Sequence, residues 1–139
     1  MAGNVVIAGT DGSDPSLRAV EWAAREAALR GASLRIVAVP VLLRRMSWQP
    51  GPHSTPDTVA DAIRRFYEQA LATAAACATE AEPDVAVETA LLQGRPARAL
   101  AEAAADASML VVGSRGAGGF GALLLGSVSR YVATLAPGP

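Results

Sequence analysis

Short apolar runs rich in Val, Ile and Leu alternate along this chain with longer Ala-rich segments whose apolar residues recur at helical spacing. The runs that predict β-strands occupy residues 5–8, 34–39, 85–92 and 109–112. The segments that predict helices cover about 13–30, 55–81 and 96–105, with a last helix from about residue 127. This order predicts an α/β domain with an open parallel sheet and helices on both faces, and 139 residues suit one such domain.

Capping residues and apolar faces define the predicted helices more closely. Either Ser13 or Asp14 can cap the first helix, with Pro15 in its first turn and Gly31 as its stop. The core face predicted for the first helix consists of Leu17, Val20, Ala24, Ala27 and Ala28. The core face predicted for the second helix consists of Val59, Ile63, Phe66, Ala70 and Ala74. Pro96 opens the third helix after a turn at Gly94.

Candidate ligand-binding residues follow three of the predicted strands, and open parallel sheets bind ligands at the carboxyl ends of their strands. Gly9-Thr10-Asp11 follows the first strand, and Val39-Pro40 ends the second. Asp11 either bonds a ribose hydroxyl or a hydrated Mg²⁺ ion, or only stabilises its own turn. Val39 either offers its backbone N–H and C=O to an adenine edge or is an ordinary core valine.

A glycine-rich stretch follows the fourth strand and precedes the last predicted helix. Its spacing is G-x2-G-x9-G-S, at Gly113, Gly116, Gly126 and Ser127. The glycines let a phosphate oxygen approach the backbone, while a helix N-terminus favours negative charge. The spacing matches neither the dinucleotide fingerprint nor the P-loop. A glycine-rich surface loop is the alternative, and Arg115 either clamps a phosphate or points to solvent.

These motifs resemble those of the universal stress protein family, in its ATP-binding branch. The resemblance rests on the G-x2-G-x9-G-S spacing, on Gly9-Thr10-Asp11-Gly12-Ser13 and on Gln93-Gly94-Arg95-Pro96-Ala97, and it covers nearly the whole chain. It implies one nucleotide-binding domain over residues 1–139 with a fold like that of the adenine nucleotide alpha hydrolases. The implied function is that of a bacterial, nucleotide-dependent stress-response sensor or regulator that binds ATP, with Mg²⁺ accompanying the triphosphate.

The resemblance also implies a set of nucleotide-contacting residues. They are Gly9, Asp11, Val39, Gly113, Ser114, Arg115, Gly116, Gly126, Ser127, Val128 and Ser129. No catalytic residue and no protein-only metal site is predicted. The alternative function is a slow enzyme that hydrolyses ATP or transfers its phosphate. For that reaction the sequence offers no convincing general base and no Walker lysine.

One feature departs from the family pattern. Members normally end with a fifth strand, whereas residues 135–139 of this chain, Leu-Ala-Pro-Gly-Pro, stand where that strand would begin. We therefore expect a four-stranded sheet of order 3-2-1-4. We also expect that the chain is truncated before the last strand and that it is the first half of a longer tandem protein. The resemblance further implies a homodimer or a pairing of tandem domains.

Composition excludes several other classes of function. The formal net charge is −1 and all twelve basic residues are Arg, so no basic field is available for nucleic acid. No apolar run reaches the roughly 20 residues of a membrane span. The single cysteine, Cys77, forms no intrachain disulfide, which favours the cytoplasm, and we expect a small buried residue there. His53, the only histidine, is expected to be an exposed loop residue without a role.

Overall fold

The computed structural model describes residues 4–40 and 56–113, without the side chains of residues 56–58. The elements in chain order are β1 (Val5–Gly9), α1 (Asp14–Arg30), β2 (Ser33–Ala38), α2 (Pro56–Ala81), β3 (Val87–Leu91), α3 (Pro96–Ala103) and β4 (Met109–Val111). The predicted alternation is confirmed over this part of the chain. The last predicted helix lies outside the described residues.

Two boundaries differ from their predictions by a few residues. Strand β3 begins at Val87 and not at Val85, because the Val85 N–H donates to the Glu82 carbonyl in the turn that follows α2. Helix α3 ends at Ala103 and not near Ala105, and its last turn is closed by the Ala104 N–H donating to the Leu100 carbonyl at 3.0 Å. Neither shift moves a residue that was assigned to the candidate site.

The four strands form one parallel sheet of order β3-β2-β1-β4, as expected. Ala8 of β1 stands opposite Ile36 of β2 on one side and opposite Val111 of β4 on the other. The chain therefore adds β2 and β3 on one side of β1 and then crosses to add β4 on the opposite side. This reversal of strand order places the crevice that binds ligands in such sheets between β1 and β4.

Helix α1 ends where its sequence signals predict. Ser13 rather than Asp14 is the N-cap, and its hydroxyl accepts a hydrogen bond from the Ser16 N–H at 3.3 Å. At the other end Gly31 adopts a left-handed conformation with φ of 64°, and its N–H reaches the carbonyls of the last turn.

The core consists mainly of small side chains on the two faces of the sheet. One face of β1 and β2 packs against α1 and α2; its buried residues include Val6, Ala8, Leu34, Ile36, Val20, Ala24, Leu71 and Ala74. On the opposite face Ile7 and Val37 pack with Leu100 of α3. The many alanines let helix and sheet backbones approach closely, so that a chain with few aromatic residues fills its core.

Three predictions about burial were wrong. Ala28 is exposed, because the buried stripe of α1 runs through Val20, Ala24 and Ala27 and Ala28 lies about 100° further round the helix. Phe66 is 59% exposed, because at its level α2 has passed the end of β1 and lies beside the following turn. Cys77 is only partly buried. Within residues 4–40 and 56–113, no helix is long and apolar enough to cross a membrane.

Candidate functional site

The carboxyl ends of β1, β2 and β4 bring four of the predicted site residues to one edge of the sheet. Gly9 ends β1, and the Thr10 N–H continues the ladder by donating to the Val37 carbonyl at 2.9 Å. Val39 directly follows β2, and Gly113 comes two residues after β4. With Asp11, these residues lie at the carboxyl edge of the sheet, where the sequence predicts the ligand and where the strand order reverses.

The turn between β1 and α1 is held by side-chain hydrogen bonds. The Oδ1 atom of Asp11 accepts from the Ser13 N–H at 3.0 Å and from the Ser13 hydroxyl at 2.5 Å. Asp11 therefore does stabilise its own turn, which was one of its two predicted roles. Its contact with a nucleotide stays a prediction, and the turn fixes the direction in which the carboxylate points.

Beneath Asp11 lies a buried hydroxyl network. The Thr10 hydroxyl accepts from the Gly12 N–H at 3.1 Å and lies 2.9 Å from the Ser16 hydroxyl. The Ser16 hydroxyl donates to the Ser13 carbonyl at 2.8 Å. Thr10 and Ser16 are both buried, so these bonds form away from competing water. Sequence reasoning missed this network, although three hydroxyl residues within seven positions of a helix start are a usable signal.

Gly12 docks the same turn against α2. Its φ is 87°, which favours glycine, and a Cβ atom there would lie 3.3 Å from the Ala70 Cβ and 3.8 Å from the ring of Phe66. Both the backbone conformation and the close approach therefore disfavour larger residues at Gly12. The packed turn explains why α2, a distant element in the sequence, borders the candidate site.

Tyr67 of α2 lies within electrostatic reach of Asp11, which sequence reasoning did not predict. Burial, and after it the negative charge of Asp11, raise the pKa of Tyr67 above its ordinary value. The Asp11 carboxylate and the Tyr67 phenol therefore interact across 56 residues of sequence. The adjacent aromatic pair Phe66-Tyr67 was the available signal, in a chain that has only two Phe and two Tyr.

Gly9 has a visible packing role. A Cβ atom at Gly9 would lie 3.3 Å from Leu100 Cδ2 and 3.4 Å from Val112 Cγ1, so α3 and the end of β4 close over this position. The missing side chain thus permits close packing beneath the edge. A nucleotide contact of Gly9 stays a prediction.

Most of the predicted phosphate loop lies outside the described residues. This holds for Ser114, Arg115, Gly116, Gly126, Ser127, Val128 and Ser129. Gly113 is the one member of the loop that the structure places. His53 also lies outside the described part of the chain. The roles given to these residues remain predictions.

The described side chains hold no ready-made cage for a metal ion. Among residues 4–40 and 59–113, no group of three or more His, Cys, Asp or Glu side chains is close enough to bind one ion. Asp11 nevertheless presents a carboxylate, the hard oxygen donor that Mg²⁺ prefers. Such a single carboxylate suits a Mg²⁺ ion that is held mainly by the phosphates of a nucleotide.

Known proteins that are similar to this chain belong to the family that its sequence motifs resemble. A model of the universal stress protein family matches residues 4–139. A universal stress protein of Mycolicibacterium smegmatis is 37% identical over 138 residues, which cover 96% of this chain and 46% of the relative. A universal stress protein of Mycobacterium tuberculosis is 34% identical over 134 residues, with 43% of its length covered. The chain thus spans less than half the length of these relatives.

Solved structures share the fold over nearly the whole chain. A universal stress protein in complex with cAMP superposes with a TM-score of 0.67 at 33% identity, covering 99% of this chain and 94% of the other. The universal stress protein of Archaeoglobus fulgidus in complex with dAMP gives a TM-score of 0.65 at 23% identity, with coverage of 99% and 94%, and supports the fold alone. Family match, sequence identity and sheet order agree, and the chain belongs to the universal stress protein family.

Proposed function

We propose that this chain binds an adenine nucleotide, specifically ATP. The site lies at the carboxyl edge of the sheet, between β1 and β4. One observation carries the proposal: β1, β2 and β4 end at the same edge of the sheet, where the strand order reverses, and Asp11, Val39 and Gly113 each follow one of these strands. A family member that is 33% identical over nearly the whole chain forms a complex with cAMP, which supports an adenine ligand.

Each residue at the edge offers a group that suits one part of such a nucleotide. The Asp11 carboxylate can accept hydrogen bonds from ribose hydroxyls, and Val39 can pair its peptide group with the adenine edge. Gly113 begins the glycine-rich stretch, whose backbone would face the phosphates. In this proposal Ser114, Arg115, Gly116 and residues 126–129 complete the phosphate site. Mg²⁺ enters with the phosphates and meets Asp11 through water.

The biological role we propose is that of a sensor. A partner protein, or a second domain of the same kind, responds to whether the nucleotide is bound. The turn that carries Asp11 is packed on α2, so a ligand bound at this turn can influence the position of that helix. Mycobacterial relatives make a bacterial source part of the same proposal. Dimer formation, the tandem arrangement and the cytoplasmic location stay predictions of the sequence.

The test begins with the protein as purified. Denaturation should release an adenine nucleotide that mass spectrometry identifies, or calorimetry should show binding of added Mg-ATP or cAMP. Asp11→Ala should weaken binding by at least tenfold, because a carboxylate that bonds the ribose contributes about 1.5–3 kcal/mol. Asp84→Ala is the matched control, since Asp84 is exposed in the turn before β3 at the opposite edge. A folded protein that neither carries nor binds any adenine nucleotide would contradict the proposal.

A further inference from the structure

Strand β3 is the end strand of the described sheet. Within residues 4–40 and 56–113, β2 is the only strand that pairs with it. Thr89, in the middle of β3, is exposed, and so is Glu88. Strand β3 also contains neither Lys nor Pro, residues with which proteins block a free edge. The exposed middle of β3 can therefore pair with another strand.

The pairing with β2 determines which backbone groups of β3 face outward. The Leu34 N–H donates to the Ala86 carbonyl at 2.9 Å, and the Leu92 N–H donates to the Ala38 carbonyl at 2.8 Å. The even-numbered residues of β3 therefore turn their N–H and C=O groups towards β2, because these groups alternate in direction along a strand. The groups that point away from the sheet belong to the odd-numbered residues, which are Val87, Thr89 and Leu91.

This spacing of outward groups is self-complementary. A two-fold axis through Thr89, perpendicular to the sheet, sets β3 antiparallel to β3 of a second copy of the chain. Thr89 then stands opposite Thr89 of the second copy, and each donates its N–H to the carbonyl of the other. Val87 and Leu91 pair across the same axis in the same way. This one arrangement uses every outward N–H and C=O group of β3.

The side chains along β3 suit the same register. Val87 and Leu91 both pack against the main core cluster, so their pairing extends that apolar face into the second copy. On the other face Glu88 stands opposite Ala90 of the second copy. The two Glu88 side chains are only diagonal neighbours, about 7–8 Å apart. Each is also held by Arg35 of its own sheet, with Nε and Oε1 2.6 Å apart, so the charges are compatible with self-pairing.

We propose that β3 is a self-association edge, through which two copies of this chain pair antiparallel and join their sheets into one. The occupant is a second copy, because the outward groups and the charges fit the strand's own sequence. The proposal does not depend on nucleotide binding, since β3 lies on the far side of β2 from β1 and β4.

Analytical ultracentrifugation of the full chain tests the pairing. The wild type should form a dimer. Thr89→Lys should raise the dissociation constant of that dimer at least about fivefold, because the two-fold axis sets two ammonium groups opposite each other. Leu29→Lys is the matched control, since it adds the same charge at a residue that is 82% exposed in the last turn of α1. This control should leave the dissociation constant unchanged.

Disulfide cross-linking tests the register. Cys77→Ala provides a background without the single native cysteine. In it, Thr89→Cys places its Cα about 5.5 Å from the same Cα of the second copy, within the range that a disulfide spans. Gln93→Cys is the control, because Gln93 is exposed beyond the end of β3 and its two copies would lie about 27 Å apart. Oxidation should link the copies through Thr89→Cys and not through Gln93→Cys.

A monomeric wild type, or a dimer that Thr89→Lys leaves intact, would overturn the proposal. Cross-linking through Gln93→Cys as fast as through Thr89→Cys would overturn it as well. Amide hydrogen exchange identifies the other possible occupant of the edge. Slow exchange at Val87, Thr89 and Leu91 in a monomer means that another segment of the same chain covers β3, and that result also contradicts self-pairing.

Discussion

Two strand-to-helix turns at the same edge of this sheet are built very differently. The turn between β1 and α1 has a capping serine, a buried hydroxyl network, and a glycine packed against α2. The turn between β3 and α3 has Arg95 at the N-cap, whose side chain makes no capping bond, and Gly94, which has no atom within 4 Å of its would-be Cβ among the described residues.

The difference between the two turns separates the features that every strand-to-helix connection needs from those that are special to the first turn. Both turns pass the chain from a strand to a helix with the help of a positive-φ glycine, Gly12 at 87° and Gly94 at 109°. Only the first turn carries a carboxylate at the reversal of strand order. The extra bonds around Asp11 therefore exceed what a connection needs, and they are accounted for if the turn must hold a ligand-binding group in place.

The largest effect that separates the two turns should come from glycine substitution. Gly12→Ala places a Cβ 3.3 Å from the Ala70 Cβ, at a position whose positive φ strains any side-chain-bearing residue. We expect strain and overpacking together to lower the free energy of unfolding by about 2–4 kcal/mol. Gly94→Ala introduces backbone strain without a close contact, so its free energy of unfolding should fall by only about 1–2 kcal/mol. Urea unfolding of the two variants measures both values. Equal losses would show that Gly12 is not packed against α2 as described.

A smaller difference should appear at the caps. Ser13→Ala removes the N-cap bond of α1 and a donor to Asp11, and we expect about 1–2 kcal/mol of destabilisation. Arg95→Ala removes no capping bond and should change stability by less than about 0.5 kcal/mol. The midpoints of chemical unfolding provide the comparison. A Ser13 variant as stable as the wild type would contradict the claim that these hydrogen bonds hold the turn.

The smallest effect should be a dependence of stability on alkaline pH. The pKa of Tyr67 is raised in the folded chain above its unfolded value of about 10, so the folded state binds this proton more tightly. The resulting stability is fully present below pH 10 and is lost as pH rises through the folded pKa. Unfolding measured between pH 9 and 11, about one unit on either side of the unfolded pKa, should show this decline. The decline should be weaker in Tyr67→Phe, and an identical slope in both proteins would contradict the assignment.

Much of the fold could be predicted because it depends on local signals. Gly31, Pro96 and the period of the apolar residues mark helix ends and strands without reference to the rest of the chain. Motifs at strand ends indicated the family, the resemblance implied the sheet order, and both are confirmed. For the site, the placement of Asp11, Val39 and Gly113 at one edge was predictable, since parallel strands have their carboxyl ends at the same edge of a sheet.

The remaining features depend on where α2 lies in three dimensions. Periodicity put Phe66 in the core, but it does not tell how far a helix extends past the sheet, and Phe66 lies beyond the end of β1. Tyr67 interacts electrostatically with Asp11 across 56 residues of sequence, and no local pattern encodes that proximity. The packing role of Gly9 was not predictable, because the close neighbours of its would-be Cβ, Leu100 and Val112, lie about 90 or more residues further along the chain.

Amide hydrogen exchange with and without Mg-ATP tests the central claim most directly. The account predicts that nucleotide slows exchange at residues 9–13, around Val39 and from Gly113 onward, and leaves residues 93–95 unchanged. The two turns at one edge would then differ in function as they differ in construction. Exchange that is unchanged everywhere, or slowed at residues 93–95 but not at 9–13, would contradict it.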